Sequence, residues 1–477
     1  MTDYITGVKN PLPFYYFEII SKIPRGSGNE DAVCDYLVKF ARERGLYVSR
    51  DEHNNVLIKK AAARGREKEP TILLQAHTDM VCEKNEATEH DFLNDEIKLV
   101  QIGNVLMADN TTLGADDGFG VALMLAVLDD NSLSIPNIEC LFTSREEIGL
   151  VGATLFDYSK IGAGYLINLD SAEEDTVIIG CCGGIRTELT LPVSFSEAEG
   201  YGYSIEIGGL CGGHSGEDID KGRLNANILM GSILSSIKSY TPIKISNISG
   251  GDKDNAIPRE CRCIFVADRS IDAIIDSIAS ETKSKVIARE DGDIWVEIRK
   301  CDTSSTVSYE DTDKIIKILS IDNGVLKYRD ILPILPEASR NLARIRTSAD
   351  DISIGFSSRS YKSDVLKLAA DEIIELATEI GADAYHHEAY PGWESPKDSS
   401  LIKSWSNAYR AIKGSEPKIT LIHAGLECGV ITSRVKELEA ISVGCNVHDL
   451  HTPKEMMELD SFDRVYEIAI EFLKRGM

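Results

Sequence analysis

Along the first third of the chain, short continuous apolar runs alternate with amphipathic stretches, the pattern that βαβ units around a buried sheet produce. Thr71 to Ala76 (TILLQA), Ile138 to Thr143 (IECLFT) and Tyr165 to Leu169 (YLINL) read as central strands covered on both faces. Gly118 to Leu128 (GFGVALMLAVL) is apolar nearly all round and predicts a buried helix. Asn29 to Arg44 predicts a more amphipathic helix, stopped by Gly45. After Gly183-Gly184 the texture changes. Strands at Ser204 to Ile207 and Cys261 to Val266 alternate with polar-faced helices such as Asp272 to Ala288, which predicts a separate α+β domain. A helix over Ser363 to Ile380 and a strand near Ala382 to His387 precede the Pro391-Gly392 punctuation. A strand at Ile441 to Val443 and a terminal helix over Lys454 to Lys474 return to the first texture. The reading is an α/β fold: one domain in two pieces, residues 1–185 and 387–477, interrupted by an inserted α+β domain at 186–386.

Composition narrows the function classes. The 477 residues carry 77 Asp plus Glu against 51 Lys plus Arg, a formal charge of −26. A nucleic-acid binder needs cations to displace counterions from phosphates, and no basic cluster offers them; an anionic membrane surface is disfavoured for the same reason. The first residues lack a signal-peptide pattern and no apolar stretch reaches about 18 residues, so the expectation is a soluble, cytoplasmic protein. The 11 Cys show no regular spacing and no CxxC pair, and most read as buried thiols rather than as a disulfide framework or a zinc knuckle.

Five segments place His and carboxylates at predicted strand ends or helix starts, where open α/β sheets bind ligands. In Gln75-Ala76-His77-Thr78-Asp79, the two-residue spacing puts His77 and Asp79 on one face, as a ligand with its orienting carboxylate or as a surface His beside a capping Asp. Leu113 to Gly118 (LGADDG) opens the buried helix, so Asp116 and Asp117 read either as caps or as a carboxylate bridging two cations. In Ser144 to Gly149 (SREEIG), Glu146 and Glu147 are either a solvated pair or a metal ligand next to a proton acceptor. Asp170 in Asn168 to Ser171 (NLDS) reads as a turn former or a ligand, and His448 to Pro453 (HDLHTP) supplies two His. Together His77, Asp116, Glu147, Asp170 and His451 make a mixed N/O donor set suited to a pair of zinc-like ions. A glycine-loop nucleotide site is a poor alternative, because neither GADDGFG nor GGHSG has the GxGxxG or GxxxxGK[ST] spacing.

These motifs in this order, followed by GGHSG at Gly212 to Gly216, resemble the M20 clan of metallopeptidases. YLINLDSAEE (165–174), IGCCGG (179–184), GGHSGEDI (212–219), GRLNAN (222–227), NAIPRE (255–260) and HAGLECG (423–429) are similar to its aminoacyl-histidine dipeptidase branch. The resemblance spans roughly residues 5 to 475 and implies a discontinuous zinc-exopeptidase-like catalytic domain with an inserted lid. It implies two divalent ions, zinc first with cobalt or manganese as alternatives, bridged by Asp116. His77 and Asp170 complete one site, and Glu147 and His451 the other. Asp79 steadies His77, Glu146 is the general base and His214 stabilises the oxyanion. Asn255, Arg359, Gly425 and Glu427 hold substrate, with Arg359 as a fork for its C-terminal carboxylate. It also implies a non-proline cis peptide at Asp116-Asp117. The terminal segment reads DLHTPKE where the family pattern is AHSPDE, keeping His451 and Pro453. The implied activity is hydrolysis of dipeptides of the Xaa-His or β-alanyl-histidine type. Tripeptidase, carboxypeptidase and N-acyl amino-acid deacylase activities are the alternatives within the clan. His214 acts either within its own chain or across a homodimer.

Overall fold

The structure, a computed structural model, describes residues 5–287, 293–329, 335–396 and 398–477. The chain forms two compact units: residues 1–181, 392–422 and 426–477, and residues 182–391 with 423–425. The divisions at 181/182 and 391/392 lie a few residues from the 185/186 and 386/387 read from the sequence. Gly183–Pro192 and Asp383–Tyr390 pair with one another inside the second unit, which carries those residues into it.

The first unit is built on a mixed sheet whose centre is parallel. Ile72–His77 runs parallel to Ile138–Thr143 on one side and to Tyr165–Ser171 on the other. Glu439–Gly444 continues the parallel run beside Tyr165–Ser171, while Val56–Lys60 and Tyr47–Arg50 close the far side antiparallel. Both Ile72–His77 and Ile138–Thr143 are buried along their whole length, as their unbroken apolar runs require. Because the chain passes from Ile72–His77 to neighbours on opposite sides, the strand order reverses there, and the carboxyl end of such a strand is where open α/β sheets bind ligands. The helix Ala115–Asp129 packs on this sheet and is buried nearly all round. Helix Leu459–Arg475 joins the same core through Phe462, edge-on to Phe14 and Phe119, and through Phe472 against Trp405.

The terminal helix starts at Leu459 rather than Lys454. Met456–Glu458 is instead a strand paired with Val105–Ala108, because the hydrogen bonds of a neighbouring edge outweigh local helical preference. The amphipathic helix near the amino terminus is Asp31–Glu43, shorter at both ends than the 29–44 reading.

The second unit holds an antiparallel sheet in the order Trp295–Lys300, Tyr201–Gly208, Cys261–Ala267, Ile243–Gly250, Pro336–Thr347, Asp351–Ser360, Gly183–Pro192, Asp383–Tyr390. Helices Ala226–Tyr240, Tyr309–Ile318 and Ser363–Ile380 cover it, giving the α+β texture expected of the insertion. Helix Ile275–Ile287 belongs here too; Ala288, the expected last residue, lies outside the described residues. Most of the 11 cysteines are buried, in line with the expectation. Among the described residues no helix is long and apolar enough to cross a membrane.

Candidate active site

The carboxyl ends of the three central parallel strands deliver the first donors. His77 closes Ile72–His77, Glu146 and Glu147 follow Ile138–Thr143, and Asp170 sits near the end of Tyr165–Ser171 rather than in a turn. Asp116 comes from the start of the buried helix and His451 from the loop before Met456–Glu458. His77 Nε2 is 3.0 Å from Asp116 Oδ1 and 3.8 Å from Asp170 Oδ1. His451 Nε2 is 3.2 Å from Asp116 Oδ2 and 3.1 Å from Glu147 Oε1. The two oxygens of Asp116 therefore face different histidines. Donor atoms of His77, Asp116 and Asp170, of Asp116, Glu147 and His451, and of His77, Glu146 and Glu147 form three triples, each with all atoms within 4.8 Å of one another.

The two readings of LGADDG divide between its two acids. Asp117 Oδ1 accepts the Gly120 N–H at 3.1 Å and so caps the helix, while Asp116 turns to the histidines. The peptide bond between them is cis, as the resemblance implies. Neither residue has helical dihedrals.

Asp79 does more than face His77, whose Nδ1 lies 3.5 Å from its Oδ1. Its carboxylate also accepts the Glu146 N–H at 3.0 Å, the Glu147 N–H at 3.3 Å and the Ser27 hydroxyl at 2.7 Å. One buried acid thus ties the histidine strand to the loop carrying both glutamates. Glu427 is fully buried, accepts the Thr143 hydroxyl at 2.7 Å, and is pushed up to about 7 by burial.

Two further groups shape this cluster and were not singled out by the sequence. Glu455 is buried and accepts the N–H groups of Leu113 (2.7 Å), Gly114 (3.0 Å), Ala115 (2.8 Å) and Asp116 (3.4 Å). It lies four residues after His451, so one short segment presents a histidine and holds the backbone of the acid opposite it. Buried Arg25 donates to the carbonyls of Thr78 and Asp79, both at 3.1 Å, and to that of Gly114. The only local signal for Glu455 is its place in the HTPKE segment; Arg25 has none.

The electrostatics point to cations. Burial, reinforced by Asp116, holds Asp170 well above the usual carboxylate range. Burial likewise raises Glu146, with Glu147, Asp170 and Glu427 adding to the effect, and raises Glu147 beside Asp116. Burial would lower both histidines, but the carboxylates overcome it, so His77 stands well above its ordinary value and His451 at about 11. Among the described residues no Lys or Arg forms an ion pair with Asp116, Glu146, Glu147 or Asp170. Four crowded carboxylates and two imidazoles with no resident cationic side chain fit a pair of borderline divalent ions.

The remaining expected site residues belong to the second unit. His214 pairs with Ala256 across two short strands; its Nδ1 accepts the Glu217 N–H at 3.2 Å, which leaves the proton of a neutral ring on Nε2. The Asn255 carbonyl accepts the Ser215 N–H at 2.8 Å. Arg359 is 7% exposed on Asp351–Ser360 and donates from Nη1 to the Tyr390 hydroxyl at 2.8 Å. Gly425 has a packing reason for lacking a side chain, since a Cβ there would come within 2.6 Å of the Tyr390 ring. Buried His423, which the sequence left without a role, has Nδ1 2.9 Å from Cys182 Sγ and Nε2 2.8 Å from Ser339 Oγ.

The chain is similar in sequence and fold to known proteins. Residues 205–289 match the M20 peptidase dimerisation domain. The chain is 32% identical over 473 residues to the cytosol non-specific dipeptidase of Escherichia coli strain K12, covering 98% of each protein. The aminoacylhistidine dipeptidase of Vibrio alginolyticus superposes with a TM-score of 0.85 at 31% identity, over 98% of this chain and 97% of that one. A tripeptidase from Staphylococcus aureus shares the fold at a TM-score of 0.58 and 17% identity, covering 98% of each chain. With near-complete coverage at this identity, the chain belongs to the M20 family of metallopeptidases, in the group of the cytosol non-specific and aminoacylhistidine dipeptidases.

Proposed function

We propose that this protein hydrolyses dipeptides, those with a C-terminal histidine among them, using two divalent cations, zinc foremost with cobalt or manganese as alternatives. The observation that carries the proposal is the pair of donor triples sharing Asp116, with Glu146 in the third triple beside them. His77 and Asp170 would hold one ion, Glu147 and His451 the other, and Asp116 both. When bound, such a pair acidifies a water from a pKa of 15.7 toward about 7 and polarises the scissile carbonyl.

Glu146 is the proton carrier. Its raised affinity for protons suits a group that accepts one from water as the water oxygen attacks the carbonyl carbon. It returns that proton to the departing amine nitrogen as the C–N bond breaks, which leaves the enzyme unchanged and two amino acids as products. Asp79 supports the step by holding the Glu146 N–H and facing His77. His214 donates from Nε2 to the developing oxyanion, Arg359 anchors the substrate carboxylate, and Asn255 and Gly425 contribute further substrate contacts. Glu427 faces the substrate side of the sheet end in this reading. The dimerisation-domain match supports a homodimer, and the name of the Escherichia coli relative supports a cytosolic setting.

The test is Glu146→Gln with metal content measured alongside turnover, and wild type on a panel of free, amidated and N-acylated dipeptides, tripeptides and N-acylated amino acids. The expected result is full metal loading and a loss of at least about 100-fold in kcat. Substantial residual activity would overturn the base assignment, and preferential cleavage of tripeptides or acylated amino acids would move the protein to another clan activity.

A further inference from the structure

We propose that Tyr390 is a positioning residue that presets Arg359 and thereby sets the preference for substrates with a free C-terminal carboxylate. The inference rests on the reading of Arg359 as the carboxylate anchor.

Arg359 is buried, yet among the described residues no carboxylate pairs with it and its Nε has no hydrogen-bond acceptor. A cation held in the protein without a counter-charge is unfavourable until an anion arrives. Among the described residues, its bond to the Tyr390 hydroxyl is the one hydrogen bond that its side chain makes.

The sheet brings this contact about. Gly184 lies opposite Arg359 on one side and opposite Tyr390 on the other, so the three positions form a row across three strands. A Cβ at Gly184 would lie 2.5 Å from Cζ and from the hydroxyl oxygen of Tyr390. A Cβ at Gly425 would lie 2.6 Å from Cε2 of the same ring. The ring occupies space that two side-chain-free positions leave for it, and nothing larger than glycine fits at either without moving it. A register fixed by backbone pairing and a ring fixed by two glycines deliver the hydroxyl to Nη1. Arginine has a flexible stem and a planar fork, so fixing the fork before substrate arrives removes ordering cost from the binding step. The phenol oxygen also takes up one of the five N–H donors, which limits how the remaining four are presented.

Tyr390→Phe keeps the ring and removes only the hydroxyl. Steady-state kinetics on a matched pair, a free dipeptide and its C-terminal amide, read the effect. The expected result is a KM for the free dipeptide raised about tenfold with kcat little changed, the loss of one hydrogen bond to a charged group. The amide should be unaffected, so discrimination between the two falls about tenfold. Gly184→Ala, which displaces the ring from the other side, should do the same. In Arg359→Ala, adding Tyr390→Phe should cause no further loss, because the hydroxyl acts through the guanidinium. A discrimination ratio within twofold of wild type in Tyr390→Phe overturns the inference, as does an equal loss on both substrates with a lowered Tm. If Arg359→Ala abolishes discrimination while Tyr390→Phe does not, the anchor stands and the role of Tyr390 falls. If Arg359→Ala keeps discrimination, the anchor reading itself has failed.

Discussion

Removing the Glu455 carboxylate should loosen the acid that faces both histidines, and the size of the effect follows from the bonds it makes. Glu455→Ala deprives the N–H groups of Leu113, Gly114 and Ala115 of an acceptor at 2.7, 3.0 and 2.8 Å, and Asp116 of a weaker one at 3.4 Å. A hydrogen bond to a charged group contributes about 1.5–3 kcal/mol, so the three short bonds set a ceiling of about 4.5–9 kcal/mol. Two terms bring this down. Burial raises the pKa of Glu455, so keeping its charge out of water already costs free energy that the variant recovers. Water admitted by the lost side chain also satisfies part of the freed backbone. Breaking a buried charged contact typically costs about 3–5 kcal/mol, and that is the expected loss here. The same backbone carries Asp116, so metal affinity should fall about 10- to 100-fold, as it does when a ligand's supporting partner is removed. Urea unfolding of chelator-treated protein measures the first quantity and competition with a fluorescent zinc chelator the second. Glu455→Gln, which keeps one acceptor oxygen, should fall between wild type and alanine. A stability change below about 1 kcal/mol together with unchanged zinc affinity would refute the reasoning, because buried N–H groups cannot lose their acceptor at no cost.

Chelation of the metal-bearing enzyme should abolish activity reversibly and speed hydrogen exchange at residues 113–117, 144–150 and 449–453, while the strand Ile72–His77 stays protected; uniform exchange would contradict the cation requirement of this cluster. Gly152→Ala places a Cβ 2.2 Å from the Ser144 carbonyl oxygen and 2.6 Å from Asn55 Oδ1, so it should shift the Glu146–Glu147 loop, cost about 1–3 kcal/mol and weaken metal binding; a variant with wild-type metal affinity would show that the loop is set elsewhere. Phe462→Ala removes a fully buried ring that meets both Phe14 and Phe119 and should cost about 3–5 kcal/mol in urea titrations. For His423, burial and the charges of Arg359 and His214 lower the pKa to about 3. The folded state stays unprotonated while the unfolded chain binds a proton below about pH 6.5, so the contribution is complete above that pH and is lost as pH falls toward the folded value, at about 1.4 kcal/mol per unit. Urea titrations of metal-free wild type and His423→Gln between about pH 4 and 7 check this, and parallel pH profiles would refute it.

The elements that were legible in the sequence share a feature: their signal is local. Ile138–Thr143 and the helix Ala115–Asp129 are apolar on every side because both are buried on every side, and an unbroken run reports that directly. The strand Met456–Glu458 carries a helical pattern in the sequence because its partner, Val105–Ala108, lies some 350 residues away, and nothing in three residues reveals a distant edge. His77, Asp116, Glu146, Glu147 and Asp170 are legible as a set because each lies at a strand end or opens a helix, whereas His451 sits in a loop before a strand. The groups that hold them were not. Glu455 and Arg25 act on the backbone of Gly114 and its neighbours, and backbone carbonyls and amides carry no side-chain signature.

The sequence by itself determined the α/β texture of the first unit, the α+β insertion and which His and acidic residues are candidate donors. All three follow from hydrophobic period and residue type, which each segment carries on its own. Only the tertiary structure decided that Asp117 caps a helix while Asp116 faces two histidines, and that Asp79 anchors both glutamates. It alone showed two glycines leaving room for Tyr390 beside Arg359. Such roles depend on which segments meet. Contacts between residues hundreds of positions apart come from sheet register and packing of the whole chain, which no local pattern encodes.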